Sequence, residues 1–358
     1  MRPSARLSAA WPSRNLSRFT TILFLAIVLS GASFAQFQRV PKPADPPKAP
    51  AASGPVPPVE GEDFVIRTDV RLVRAEVQVT QNKRVISELT REDFVLRDEG
   101  TPTEIVDFSV EGDPLDLMLL LDVSGSMTAF LYDVARAADE ALKQLESTDR
   151  LGVMIFSKDT KTLSELSAPR ADALASLQSL ARQPGMGAGT AINASIMSAV
   201  KAIQDDAAGG SYDPKRRRAI LILTDNWGIN YNLPDRVVLR ALHQENISMH
   251  AIVVGRVRKP ESNWAEFSRD GFDDEVGFSL ANVFQLAEDT GGDIFSDLKK
   301  EGLANILSRI RNRFSVYFKP SPNAQPGSFR KIQVTLRPET ARKLKNAVVR
   351  ARAGYYAN

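Results

Sequence analysis

Cysteine is absent from all 358 residues, and histidine occurs only at His243 and His250. The first absence excludes disulfide staples, thiolate zinc sites, thiol catalysis and a lipid anchor carried on cysteine. The second excludes a His-rich metal centre. A chain of this length can bury enough surface to do without disulfides even outside the cell. Missing too is an apolar run of the roughly 20 residues that a membrane span needs. Apolar residues make up 43% and charged residues 25%, ordinary values for a globular protein.

Residues 1–35 read as an export signal. Arg2, Arg6, Arg14 and Arg18 precede the short apolar run Thr20 to Leu29, and Ser33 and Ala35 stand where a signal peptidase reads. Cleavage before Gln36 is expected, the alternative being an uncleaved anchor; after cleavage no transmembrane helix is expected. These residues hold four arginines and no acid, so the remainder carries 42 basic and 43 acidic side chains. The basic isoelectric point therefore belongs to the signal, and a nucleic-acid-binding surface is not implied. The mature protein is expected to be periplasmic or secreted.

Pro, Ala and Lys dominate residues 41–58, which predicts an extended linker over 36–60. Residues 61–111 follow as a small β module. VIRTDVRLVRAEVQV (65–79) alternates with period two, and Phe94, Leu96, Ile105 and Phe108 mark further strands. From residue 112 to 313 buried strands alternate with amphipathic helices. Leu115 to Leu121 is almost wholly apolar, as a central strand covered on both faces must be. Leu131, Val134, Ala138, Leu142 and Leu145 share one helical face, and Ile192, Ile196, Ala199 and Ile203 another. AILIL (219–223) is a second buried strand, Ala251 to Val254 a third, and Leu280 to Asp289 a helix. This alternation predicts an α/β fold with a doubly wound, mostly parallel sheet. Residues 314–358 return to strands at Phe314–Phe318, Phe329–Leu336 and 348–356. The two β segments are expected to pack together as one β-sandwich-like module.

Three distant segments fall on one edge of such a sheet, because strand C-termini and helix N-termini share that edge. Asp122-Val123-Ser124-Gly125-Ser126 follows the central strand, Gly187-Ala188-Gly189-Thr190 opens a helix, and Thr224-Asp225 ends AILIL. Singly, the hydroxyls read as helix caps and Asp225 as a turn residue. Together, Asp122, Ser124, Ser126, Thr190 and Asp225 form a hard-oxygen set without nitrogen or sulfur. Such a set suits Mg²⁺ first, with Mn²⁺ or Ca²⁺ as alternatives.

DVSGSM, GAGTAI and ILILTD resemble the metal-ion-dependent adhesion site (MIDAS) of von Willebrand factor type A domains. The flanking EDFVLRDEG (92–100) and RARAGYY (350–356) resemble a bacterial group of exported proteins related to that family. The resemblance implies that Asp122, Ser124 and Ser126 are metal ligands, and that Thr190 and Asp225 complete the shell, one or both through water. It implies cell adhesion or protein binding, with a partner carboxylate filling one open metal position. The family often has Gly after the last Asp, whereas Asn226 and Trp227 follow here.

Ligand choice is expected to fall to aromatics on the same edge: Trp227, and Trp264, Phe267 and Phe272 in the long polar segment 258–278. Lys215-Arg216-Arg217-Arg218 reads as a solvated strand entrance, His250 as a core residue, and His243 as a helical residue with no motif beside it. No catalytic residue is expected. The chain lacks a GxxxxGK phosphate loop and a nucleophile elbow, and no general base stands beside the site in sequence. A metal-stabilised envelope scaffold and a metal-dependent hydrolase are the alternatives.

Overall fold

The protein's structure is a computed structural model. It describes residues 72–357 apart from 83, 111–112, 183–188, 212, 214, 232, 256–277 and 281. The expected export signal and linker, and Trp264, Phe267 and Phe272, lie outside the described residues.

Strands β1 (Val73–Gln81), β2 (Arg84–Val85), β3 (Phe94–Asp98), β4 (Thr101–Thr103) and β5 (Ile105–Ser109) come first. The α/β region then runs β6 (Leu115–Asp122), α1 (Thr128–Leu142), β7 (Arg150–Phe156), β8 (Thr160–Ser164), α2 (Arg170–Ser179) and α3 (Ile192–Asp206). It continues through β9 (Arg217–Thr224), β10 (Ile229–Tyr231), α4 (Asp235–Gln244), β11 (Ile247–Val253), β12 (Phe278–Leu280) and α5 (Val283–Asp289). β13 (Ile294–Phe295), α6 (Leu298–Glu301) and α7 (Leu303–Arg311) close it. The last elements are β14 (Phe314–Phe318), β15 (Phe329–Leu336), α8 (Pro338–Lys343), β16 (Val348–Ala351) and β17 (Gly354–Tyr356).

The central sheet has the strand order β13-β11-β9-β6-β7-β8, parallel throughout except for β8, which runs antiparallel to β7. Alternate side chains of β6 feed two separate cores, as the period of a strand requires. Leu117, Leu119 and Leu121 pack with α1, α2 and α7, through Leu131, Leu177 and Ile306 among others. Met118 and Leu120 point the other way, toward Ile196 of α3, Val238 of α4 and Val283 of α5. This is the expected α/β sheet with helices on both faces. Among the described residues no helix is long and apolar enough to cross a membrane.

The flanking strands make two antiparallel sheets, β16-β1-β14-β5 with β2 on β1, and β17-β15-β3-β4. N-terminal and C-terminal segments interleave in both: β1 pairs with β14 and β16, and β15 pairs with β3. Ala75, Val77, Phe94, Leu96, Phe314, Val316 and Val334 share one core, with the rings of Phe94, Phe108 and Phe314 at centroid separations of 5.4–5.6 Å. The sandwich-like module is therefore built from both ends of the α/β region.

Three expectations need correction. Arg217, expected in a solvated entrance, is 1% exposed. Its guanidinium donates to Glu76 Oε2 at 2.9 Å and to the carbonyls of Ile310 and Arg311. The cause lies on β1, whose alternation is real but whose polar face is also covered. Ala75, Val77 and Val79 enter the module core, while Arg74, Glu76 and Gln78 bond to Lys215, Arg216, Arg217 and Arg309 across the junction. The run 348–356 is two strands in different sheets, broken where Arg352 turns in to bond the His243 carbonyl and Asn246. Leu280 ends β12, so the helix begins only at Val283.

Candidate metal centre

β6 delivers Asp122 to the C-terminal edge of the sheet with its side chain wholly buried. The next N–H keeps to the sheet, Val123 donating to the Phe156 carbonyl at 2.8 Å. Ser124 N–H then folds back on Asp122 Oδ1 at 2.9 Å, the self-bonding turn that aspartate favours. A single 3₁₀ turn at Gly125–Met127 leads into α1. It leaves Ser124 nearly buried and Ser126 exposed, with their hydroxyl oxygens 3.3 Å apart.

Asp225 arrives from the neighbouring strand β9 and is 3% exposed. Ser126 Oγ donates to its Oδ2 at 2.7 Å, which joins the two strand ends directly. Trp227 N–H donates to its other oxygen at 3.1 Å. Thr190 reaches the same edge through its backbone. A Cβ added to Gly228 would stand 2.8 Å from the Thr190 carbonyl oxygen, so only glycine lets the two segments meet so closely. Ala191 N–H, beside it, bonds to the Ser157 carbonyl at the end of β7. Four of the five sequence-chosen residues are thus linked by hydrogen bonds, and the fifth abuts the loop that carries Asp225. Trp227 is 55% exposed on that loop.

Two residues that the sequence named without giving them a role lie behind the pair. Thr224 Oγ1 donates to Asp122 Oδ2 at 2.8 Å and accepts from Asn226 N–H at 3.1 Å. Asn226 is fully buried at φ 62°, a conformation asparagine tolerates better than other side chains. A threonine before the terminal aspartate of a buried strand was the available signal for the first. The replacement of an expected glycine was the signal for the second.

Electrostatics set this edge apart. Burial raises the Asp122 carboxyl above its usual range, the charge of Asp225 adds to the rise, and hydrogen bonds from Ser124 and Thr224 only partly oppose it. Among the described residues neither carboxylate pairs with a lysine, arginine or histidine. No group of three or more acidic or imidazole side chains capable of holding a metal occurs among them either. The donor set is therefore two carboxylates with neighbouring hydroxyls, all hard oxygens. A divalent ion with retained waters fits it.

Several solved structures are similar at low identity. An aerotolerance-related membrane protein from Bacteroides fragilis matches at 20% identity and a TM-score of 0.38, over 55% of this chain and 96% of its own. BatB from Bacteroides thetaiotaomicron matches at 20% identity and a TM-score of 0.38, over 55% and 97%. The manganese-loaded TRAP protein of Plasmodium vivax matches at 16% identity and a TM-score of 0.40, over 74% and 100%. No curated protein matches the chain. Residues 117–228, which span Asp122, Thr190 and Asp225, match the family model of the von Willebrand factor type A domain, and the chain carries a domain of that family.

Proposed function

We propose that the protein is an exported, metal-dependent binding protein whose A domain grips a carboxylate on a partner protein. Asp122, Ser124 and Ser126 hold the cation, Mg²⁺ first and Mn²⁺ or Ca²⁺ otherwise, and Thr190 and Asp225 complete the shell, one or both through water. One observation carries this reading. Two buried carboxylates, Asp122 bonded to Ser124 N–H and Asp225 to the Ser126 hydroxyl, share an edge without a paired cation among the described residues. A bound cation supplies positive charge and an exchangeable position for an incoming carboxylate oxygen.

The chain's own groups divide the remaining work. Ser124 N–H and Thr224 Oγ1 fix the two oxygens of Asp122, and Trp227 N–H and Ser126 Oγ fix those of Asp225. The carboxylates are therefore oriented in advance, which lowers the ordering cost of binding. Ser126 and Trp227 stand at the solvent side, where a partner would meet the site. Trp227 offers the aromatic contact expected of an interface anchor. The apolar run Thr20–Leu29 behind four arginines supports a periplasmic or secreted location.

The test is water-proton relaxation of the Mn²⁺-loaded protein. Bound Mn²⁺ should enhance relaxation through an exchangeable water, and acetate should reduce the enhancement by displacing that water. Asp122→Ala should show no enhancement. Enhancement that acetate leaves unchanged would favour a structural metal over a gripping one.

A further inference from the structure

Beyond the carboxylate pair, the loop that carries Asp225 is fastened to a second element. Asn226 N–H donates to Thr224 Oγ1, and Thr224 in turn holds Asp122 Oδ2. On the other side Asn226 Oδ1 accepts Val283 N–H at 3.3 Å, at the start of α5. A buried hydrogen-bond chain thus runs Asp122, Thr224, Asn226, Val283. The same loop continues into β10, which pairs with β12 through Ile229–Leu280, Asn230–Ser279 and Tyr231–Phe278. Two independent attachments therefore tie residues 225–231 to residues 278–283.

A cation at the pair and this chain draw on the same atoms. Each carboxylate oxygen has a limited number of acceptor directions, and Thr224 Oγ1 and Trp227 N–H already use some of them. Placing a cation on Asp122 and Asp225 therefore changes the strength of the bonds that hold Thr224 and Trp227, and through Asn226 the bond to Val283. An effect of this kind requires a ligand to interact differently with two states of the chain, and the shared oxygens supply that difference. Glycine at 226 would satisfy the backbone equally well. The asparagine side chain adds the bond to Val283, which glycine cannot make.

We propose that Asn226 is a positioning residue that couples cation binding at Asp122 and Asp225 to the order of the β12–α5 segment. The inference rests on the metal reading above. It assigns the site a second output, a change of order at residues 278–286 when the cation binds.

Hydrogen exchange with and without Mn²⁺ tests it, with Mn²⁺ affinity measured separately by titration calorimetry. In the full chain Mn²⁺ should slow exchange at 278–286 by roughly threefold or more, within the range that local ordering produces. Asn226→Gly, whose backbone accepts the positive φ, should still bind Mn²⁺ but lose that protection. Asn226→Asp, which retains an acceptor oxygen for Val283, should keep it. Mn²⁺ binding to the unmodified chain without a change at 278–286, or protection that survives in Asn226→Gly, overturns the coupling alone. No Mn²⁺ binding to the unmodified chain overturns the metal reading, and the coupling with it.

Discussion

The two edges of the central sheet bury ionisable groups equally deeply and treat them in opposite ways. At the strand N-termini every buried acid has a partner. Glu76 holds Arg217 at 2.9 Å, Asp149 holds Arg311 at 2.8 Å, and Asp116 holds Arg150 at 2.6 Å and Arg216 at 3.1 Å. Asp293 is met by Arg309, Arg313 and Arg350. Burial alone would raise the Glu76 carboxyl, but the charges of Arg217 and Arg74 outweigh it and hold the group at about 2. At the strand C-termini Asp122 and Asp225 meet, among the described residues, only hydroxyls and backbone N–H groups, and the Asp122 carboxyl is raised. One edge is neutralised from within the chain and fastens the β module. The other holds two buried carboxylates with no basic partner among the described residues.

Removing an acid should therefore have opposite consequences at the two edges, and the largest effect belongs to the junction. Glu76→Gln leaves Arg217 buried without its counter-charge, which costs about 3–5 kcal/mol. The melting midpoint should fall by on the order of 10 °C. The double change with Arg217→Met should recover part of that loss, as a double-mutant cycle would show.

The histidines near the junction give the next effect. Burial lowers both His243 and His250 to about 3, helped by the charges of Arg352 and Arg313 respectively. His250 Nδ1 also accepts from Asp293 N–H at 3.0 Å, which suits the neutral ring. The folded state prefers these rings neutral, whereas the unfolded chain protonates them near their ordinary value of 6.5. Their contribution is whole above about pH 6.5 and declines as pH falls toward 3, by up to about 1.4 kcal/mol per pH unit for each ring. Glu76, whose folded value is depressed instead, adds its own loss only between about 4.5 and 2. Urea midpoints between pH 7.5 and 4 should follow that slope; a flat profile across 6.5 to 5 would contradict the burial of the rings.

At the metal edge the sign should reverse. Without added metal, Asp225→Asn should raise stability by about 1 kcal/mol, because it relieves the repulsion on Asp122. A loss comparable to that of Glu76→Gln, in chemical unfolding under chelation, would erase the contrast between the edges. Trp227→Ala should move stability by no more than about 0.5 kcal/mol, as expected of an exposed side chain. Its effect should be seen instead as weaker binding of a carboxylate-bearing peptide to the Mn²⁺-loaded protein.

Much of this contrast was legible in the sequence on one edge and hidden on the other. The apolar run Leu115–Leu121 and the helical stripes of α1 and α3 give a doubly wound sheet from periodicity alone. Asp122, Ser124 and Ser126 stand out because their spacing follows a strand and precedes a helix. The junction gives no such signal. In VRAEVQV the polar positions Arg74, Glu76 and Gln78 look the same whether water or another layer covers them. Only the arrival of β9 and α7 decides, and those lie 141 and more residues away in the chain. Arg217 was misread for that reason. The break in 348–356 was hidden for a related one, since Arg352 turns inward only because His243 and Asn246 wait there. Asn226 was noticed as a departure from glycine, but its bond to Val283 depends on a helix 57 residues further on.

The most direct test of the account is thermal unfolding of the chelator-treated protein as Mg²⁺, Mn²⁺ or Ca²⁺ is restored, run beside Asp122→Ala. A cation that binds only the folded state stabilises it by about 2.7 kcal/mol at one hundred times its dissociation constant. The account predicts a midpoint that climbs with at least one of the three ions in the unmodified chain and stays flat in Asp122→Ala. A midpoint indifferent to all three ions in both proteins would contradict it, because the proposed site would then bind none of them.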